Sequence, residues 1–161
     1  MFSFLKKKQS AGIVLASPLK GTVVSLKQVN DPTFSEEMLG KGVAVIPTEG
    51  KIYAPADGEI SLLFDTLHAV SMTTTDGVEI LIHVGLDTVK LKGDGFVAHV
   101  ATGDTVKKGD LLLSVDLEAL KADGYDTVTP MVVCNTDDYA DVKTKDLTEV
   151  EPGTDLLHII V

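Results

Sequence analysis

The chain has 161 residues, a single cysteine and no tryptophan, and its 24 acidic against 14 basic side chains leave a net charge of −10. That length fits one domain able to bury a core without staples; a lone thiol closes no intramolecular disulfide and suits a reducing compartment. The charge repels phosphate backbones, which excludes nucleic acid as a general partner and favours basic proteins.

No apolar run reaches the ~20 residues needed to cross a bilayer, and no signal-peptide core follows Met1, so a cytoplasmic protein is expected. The N-terminal stretch sets Phe2, Phe4 and Leu5 beside Lys6, Lys7 and Lys8. Residues 1–10 are read as a flexible tail whose composition would also allow weak contact with an anionic membrane surface. Met1 and the shortness of this tail fit a standalone chain. The domain then runs over 11–161.

In chain order, strands are expected at 21–24, 43–46, 59–64, 78–84, 111–115 and 156–161, where Val, Ile, Leu and Thr cluster between glycine, proline and aspartate. Brief helical turns are expected at 35–39 and 117–122. The fold class is therefore all-β, an antiparallel β-sandwich or barrel-sandwich hybrid. "SPLKGTVVSL" (17–26) and "APADGEISLL" (54–63) share a small-Pro-x-x-Gly-x-apolar-x-x-Leu pattern, either a duplicated turn-and-strand or two similar strand entries. "TGDTVKKGDLLLSV" (102–115) has the hairpin rhythm of the hybrid folds that include biotin- and lipoyl-carrier domains.

Asp76-Gly77 is a strong two-residue hairpin signal between "FDTLHAVSMT" and "VEILIHVGLD". With those two residues as the loop, Val70 faces His83, His68 faces Gly85 and Thr66 faces Asp87. Phe64, Thr66, His68, Leu81, His83, Gly85 and Asp87 then share one face, and Ile80, Ile82 and Val84 point to the core. The register matters, because a slip of one residue would part the two histidines.

Paired imidazoles with a hydroxyl and a carboxylate suit three chemistries. A neutral imidazole, with an unperturbed pKa near ~6.5, can carry a phosphoryl group as a phosphoramidate and pass it on. Two histidines could instead hold zinc; "FVAHV" with His99 resembles the histidine motif of lysostaphin-type zinc peptidases, but their one-residue-spaced His-x-His is missing because position 97 is valine. The plain alternative is a satisfied structural histidine, the default for His99 and His158.

"GVEILIHVGLDTVKLKGDGF" (77–96), "FDTLHAVSM" (64–72), "DPTFSEEMLGKGVAVIP" (31–47) and "SPLKGTVVSL" together resemble the glucose-type enzyme IIA of the bacterial phosphoenolpyruvate-dependent sugar phosphotransferase system. The resemblance spans residues 15–161. It implies a phosphotransferase component working through a phosphohistidine: His83 as acceptor on Nε2, His68 as the second active-site histidine and Thr66 as the hydroxyl near it. It further implies that the Gly85 carbonyl orients the acceptor ring, that Asp31 and Asp87 lie at the rim, and that Phe34, Met38, Leu39, Phe64 and Leu81 form an exposed apolar docking surface. Leu81 departs from relatives that carry an aromatic there.

The implied donor is the histidine-containing phosphocarrier protein, and the implied acceptor is a cysteine on the IIB domain of a membrane sugar transporter. No cofactor is required, although relatives can bind zinc between the equivalents of His68 and His83 at a partner interface. Some also regulate permeases or kinases. A zinc hydrolase and a regulatory binding module are the competing classes.

Overall fold

Short strands cut by glycine, proline and aspartate assemble into three antiparallel sheets in the computed structural model, which describes residues 12–161. The predicted tail, residues 1–10, lies outside the described residues. The largest sheet runs in the order β13 (Glu149–Val150), β2 (Gly21–Val24), β3 (Lys41–Pro47), β11 (Thr129–Val133), β7 (Glu79–His83), β6 (Ala69–Thr74), β5 (Gly58–Leu63), β9 (Thr105–Val106). One smaller sheet joins β1 (Ile13–Ala16), β14 (Asp155–Ile160) and β12 (Asp141–Thr144). The other joins β4 (Lys51–Tyr53), β10 (Leu111–Val115) and β8 (Phe96–Ala98).

The expected all-β sandwich is what forms. Leu15, Ile52, Leu112, Leu113, Leu156 and Leu157 from the small sheets pack in one cluster with Val43, Ile60, Met72, Ile80, Ile82 and Met131 from the large one. Each such side chain contributes about 1.5–3 kcal/mol on burial, so this layer dominates stability. Ile80, Ile82 and Val84 point into it, as the alternation of the strand predicts. A second cluster on the opposite face gathers Phe34, Ala44, Ala69, Leu81, Leu86, Val128 and Val132.

The two similar segments hold equivalent places in the large sheet. Gly21 pairs with Pro47 and Val150, and Gly58 pairs with Thr74 and Val106, so each sits between the end of the next strand and a two-residue edge strand. The Ala16 N–H donates to the Pro55 carbonyl and the Tyr53 N–H to the Pro18 carbonyl, a reciprocal exchange between the two copies. A Cβ at Gly21 would run into the Ile46 carbonyl, and one at Gly58 into that of Thr73. Close backbone approach, rather than φ, is why both positions are glycine.

Two local expectations are corrected. The first helix is Pro32–Ser35, not 35–39, because Asp31 caps it, its Oδ1 accepting from the Thr33 N–H, and Pro32 occupies the first turn. Left-handed Glu37, at φ 57°, stops it there. The second helix, Leu117–Ala122, lies where expected.

The hairpin register also differs by one residue. Ala69, not Val70, faces His83, followed by Val70 with Ile82 and Ser71 with Leu81. The loop has three residues, Thr75, Asp76 and Gly77: the Gly77 N–H donates to the Thr74 carbonyl and Gly77 takes φ 90°. This is the tight turn plus glycine bulge that Asp-Gly supports as readily as the two-residue loop. The buried Thr74 hydroxyl secures it by accepting from the Val78 N–H at 3.0 Å.

Candidate functional site

His83 is the last residue of β7, and His68 lies one residue before β6. A strict alternation with the observed register would put them on opposite faces. They nevertheless meet, with ring centroids 4.9 Å apart and planes at 84°. His68 escapes the alternation because it ends the turn between β5 and β6, in which Leu67 is left-handed at φ 60°. Its carbonyl still closes the ladder, accepting from the Val84 N–H at 2.7 Å. The residue directly opposite His83 is Ala69, which is fully buried.

Each ring is tied at Nδ1. His83 Nδ1–H donates to the Gly85 carbonyl at 2.8 Å, an acceptor that can only take a proton. His83 therefore keeps its lone pair on Nε2. His68 Nδ1 lies 2.6 Å from the Thr66 hydroxyl. When that hydroxyl donates, the His68 proton resides on Nε2 and is available for a hydrogen bond.

Burial keeps both rings neutral near pH 7. His68 is only 5% exposed, and desolvation, reinforced by the neighbouring His83, lowers its pKa from 6.5 to about 4. His83 is lowered too, mainly by burial, against the raising effects of the Gly85 hydrogen bond and the Asp31 and Asp87 carboxylates. Aromatic rings brace the pair: Phe34 stands 5.1 Å from His83 and Phe64 5.6 Å from His68.

The structure thus brings together His83, His68, Thr66 and Gly85, with Asp31 and Asp87 close enough to act on His83. It corrects the apolar surface. Phe34 and Leu81 are 2% and 9% exposed, packed in the second core cluster because the sheet's outer face is itself covered there. They support the site from beneath rather than offer an exposed surface. Met38 and Leu39 are exposed and Phe64 is half-buried.

His99 does not join the pair; its Nε2 bonds the Ser114 hydroxyl at 2.8 Å. Among the described residues no three ligating side chains cluster as a metal site, so the hydrolase alternative lacks its ligand set. Nor is any helix among them long and apolar enough to cross a membrane. Ala69, paired with His83, and Asp126, whose carbonyl accepts from the Leu86 N–H, border the site and were not singled out; Thr88, which donates to the Val84 carbonyl, stood in the quoted motif without a role. Only Thr88 had a signal, its place just after the "HVGLD" run.

Comparison with known proteins identifies the family. The family model described as "phosphoenolpyruvate-dependent sugar phosphotransferase system, EIIA 1" matches residues 13–139. A glucose-specific EIIA component from Oceanobacillus iheyensis is 42% identical over 149 residues, covering 92% of this chain and 90% of that protein. A β-glucoside-specific EIIBCA component from Bacillus subtilis is 47% identical over 144 residues; the match covers 89% of this chain but 24% of that longer protein. The solved structure of glucose permease IIA from Mycoplasma capricolum superposes with a TM-score of 0.81 at 34% identity, covering 99% of both chains. This chain belongs to the glucose-type EIIA family of the phosphoenolpyruvate-dependent sugar phosphotransferase system.

Proposed function

We propose that this protein is a phosphoryl carrier that accepts phosphate on His83 Nε2 and hands it to a sugar transporter. The observation that carries this reading is the Nδ1–H bond from His83 to the Gly85 carbonyl, which leaves an unprotonated Nε2 beside a second imidazole. The donor is the phosphohistidine of the histidine-containing phosphocarrier protein. Its phosphorus–nitrogen bond breaks as the bond to His83 Nε2 forms, and the donor imidazole keeps the electron pair.

In the second step a cysteine thiolate of a IIB domain attacks the phosphorus, and His83 Nε2 regains its lone pair. Relatives in which EIIA is joined to IIB and IIC segments support that acceptor. His68 Nε2–H donates to the phosphoryl oxygens throughout, held in that tautomer by Thr66. Asp31 and Asp87 would repel a phosphate dianion in isolation, so the cations that stabilise transfer must come from the partner. The half-buried His83 and the exposed Met38 and Leu39 suit brief docking that excludes water.

Zinc is not needed. The two Nε2 atoms would fill two positions of a tetrahedral site, and the rest would have to come from a partner. Transfer takes place in the cytoplasm, and regulation of permeases or kinases by the unphosphorylated form is compatible with the same surface.

The test is incubation with the general phosphotransferase proteins and labelled phosphoenolpyruvate. Wild type should take up one acid-labile, base-stable phosphate and His83→Gln none. Label on His83→Gln would remove the assignment.

A further inference from the structure

The groups that hold the Gly85 carbonyl lie outside the histidine pair. The Gly85–Leu86 peptide is trans, so its C=O and N–H point to opposite sides. The carbonyl accepts from His83 Nδ1–H, while the Leu86 N–H donates to the Asp126 carbonyl at 3.0 Å. The preceding peptide is pinned in the same manner. Its N–H, that of Gly85, donates to the Val128 carbonyl at 3.0 Å, and its carbonyl, that of Val84, accepts from the Thr88 hydroxyl at 2.5 Å.

Both N–H groups therefore end on residues 126–128, a segment shaped by the Asp126 side chain. Its Oδ1 accepts from the Val128 N–H at 3.0 Å, closing an Asx turn. On the other side, Thr88 is fully buried, and a Cβ on Gly85 would lie 2.7 Å from its methyl. Gly85 at φ 77° and Asp87 at φ 61° make this a turn that stays in place only if its surroundings hold it.

We propose that Thr88 and Asp126 are positioning residues that hold the 84–88 turn from two sides, keeping the Gly85 carbonyl on His83 Nδ1 and the lone pair on Nε2. Neither side chain touches phosphate. The consequence for transfer rests on the phosphoryl-carrier reading, but the tautomer itself belongs to the unphosphorylated protein and is measured there.

The experiment is nitrogen-15 NMR of the full chain labelled in histidine, at a pH where both rings are neutral. Wild type should show His83 with one clearly protonated and one clearly unprotonated nitrogen. In Thr88→Val and Asp126→Ala the two resonances should move toward one another, and phosphate uptake should slow about 10-fold, the lower end for groups that orient a working histidine from behind. Thr88→Ser and Asp126→Asn, which keep the hydroxyl and the turn acceptor, should restore both. Asp126 is exposed, so its alanine variant leaves the core intact even if Thr88→Val proves unstable. Wild-type nitrogen shifts in folded Asp126→Ala and Thr88→Val would overturn the proposal. A wild type with the Nδ1–H tautomer that takes up no phosphate would sink the carrier reading and leave the positioning role standing.

Discussion

His68 and His83 meet edge to face, with ring centroids 4.9 Å apart, and Ala69, the residue after His68, stands opposite His83 in the ladder. Ala69 has no exposed surface, so a larger side chain must push on the second core cluster that Phe34 and Leu81 share and on the strand pairing that holds His83. Ala69→Val should cost about 1–3 kcal/mol through overpacking. It should also slow transfer to IIB more than uptake from the donor, measured by thermal melting and a chase of the labelled protein.

His68 is assigned to the phosphoryl oxygens and not to the covalent bond. His68→Gln should still be labelled on His83 but pass phosphate to IIB about 100-fold more slowly, the low end for loss of a positioned proton donor. Thr66→Val, which leaves His68 Nδ1 without its 2.6 Å partner, should show a weaker version of the same defect. Normal onward transfer in His68→Gln would end this role.

Stability should depend on pH through the buried pair. With a folded pKa of about 4 against ~6.5 unfolded, His68 binds fewer protons when folded across that interval. Folding is therefore undiminished by this group above ~6.5 and loses up to about 3 kcal/mol as pH falls through the folded value. His83, also lowered, adds in the same direction. Urea midpoints should drop between neutral pH and ~4.5, and His68→Gln should flatten the profile. An unchanged midpoint in wild type would contradict the burial argument.

Gly85 is glycine for two independent reasons. Its φ of 77° favours glycine, and a Cβ would meet both the Thr88 methyl at 2.7 Å and the Asp126 carbonyl oxygen at 2.9 Å. Gly85→Ala should cost about 2–3 kcal/mol, from left-handed strain plus crowding. Phosphate uptake should fall as the carbonyl leaves His83 Nδ1. Wild-type uptake together with a wild-type melting temperature would show that the turn is not the constraint described.

Much of this molecule was legible in the amino-acid sequence because it depends on local pattern. Alternation placed Ile80, Ile82 and Val84 in the core, glycine and proline marked the strand ends, and the "ILIHVGLDT" run with "TLHAV" named His83 and His68. Those features need only periodicity and residue type. The histidine pair, by contrast, was expected from a register that is wrong by one residue, and it forms because the turn at Leu67 frees His68 from strand alternation.

Tertiary structure alone decided three other matters. It buried Phe34 and Leu81 under the site, because whether a sheet's second face is covered depends on what packs there and not on the strand itself. It brought Asp126 and Val128 to the Gly85 turn from some forty residues away in sequence, a contact no local signal marks. And it set the proton on His83 Nδ1, since a tautomer is chosen by the carbonyl that folding places against it and by the water that burial removes.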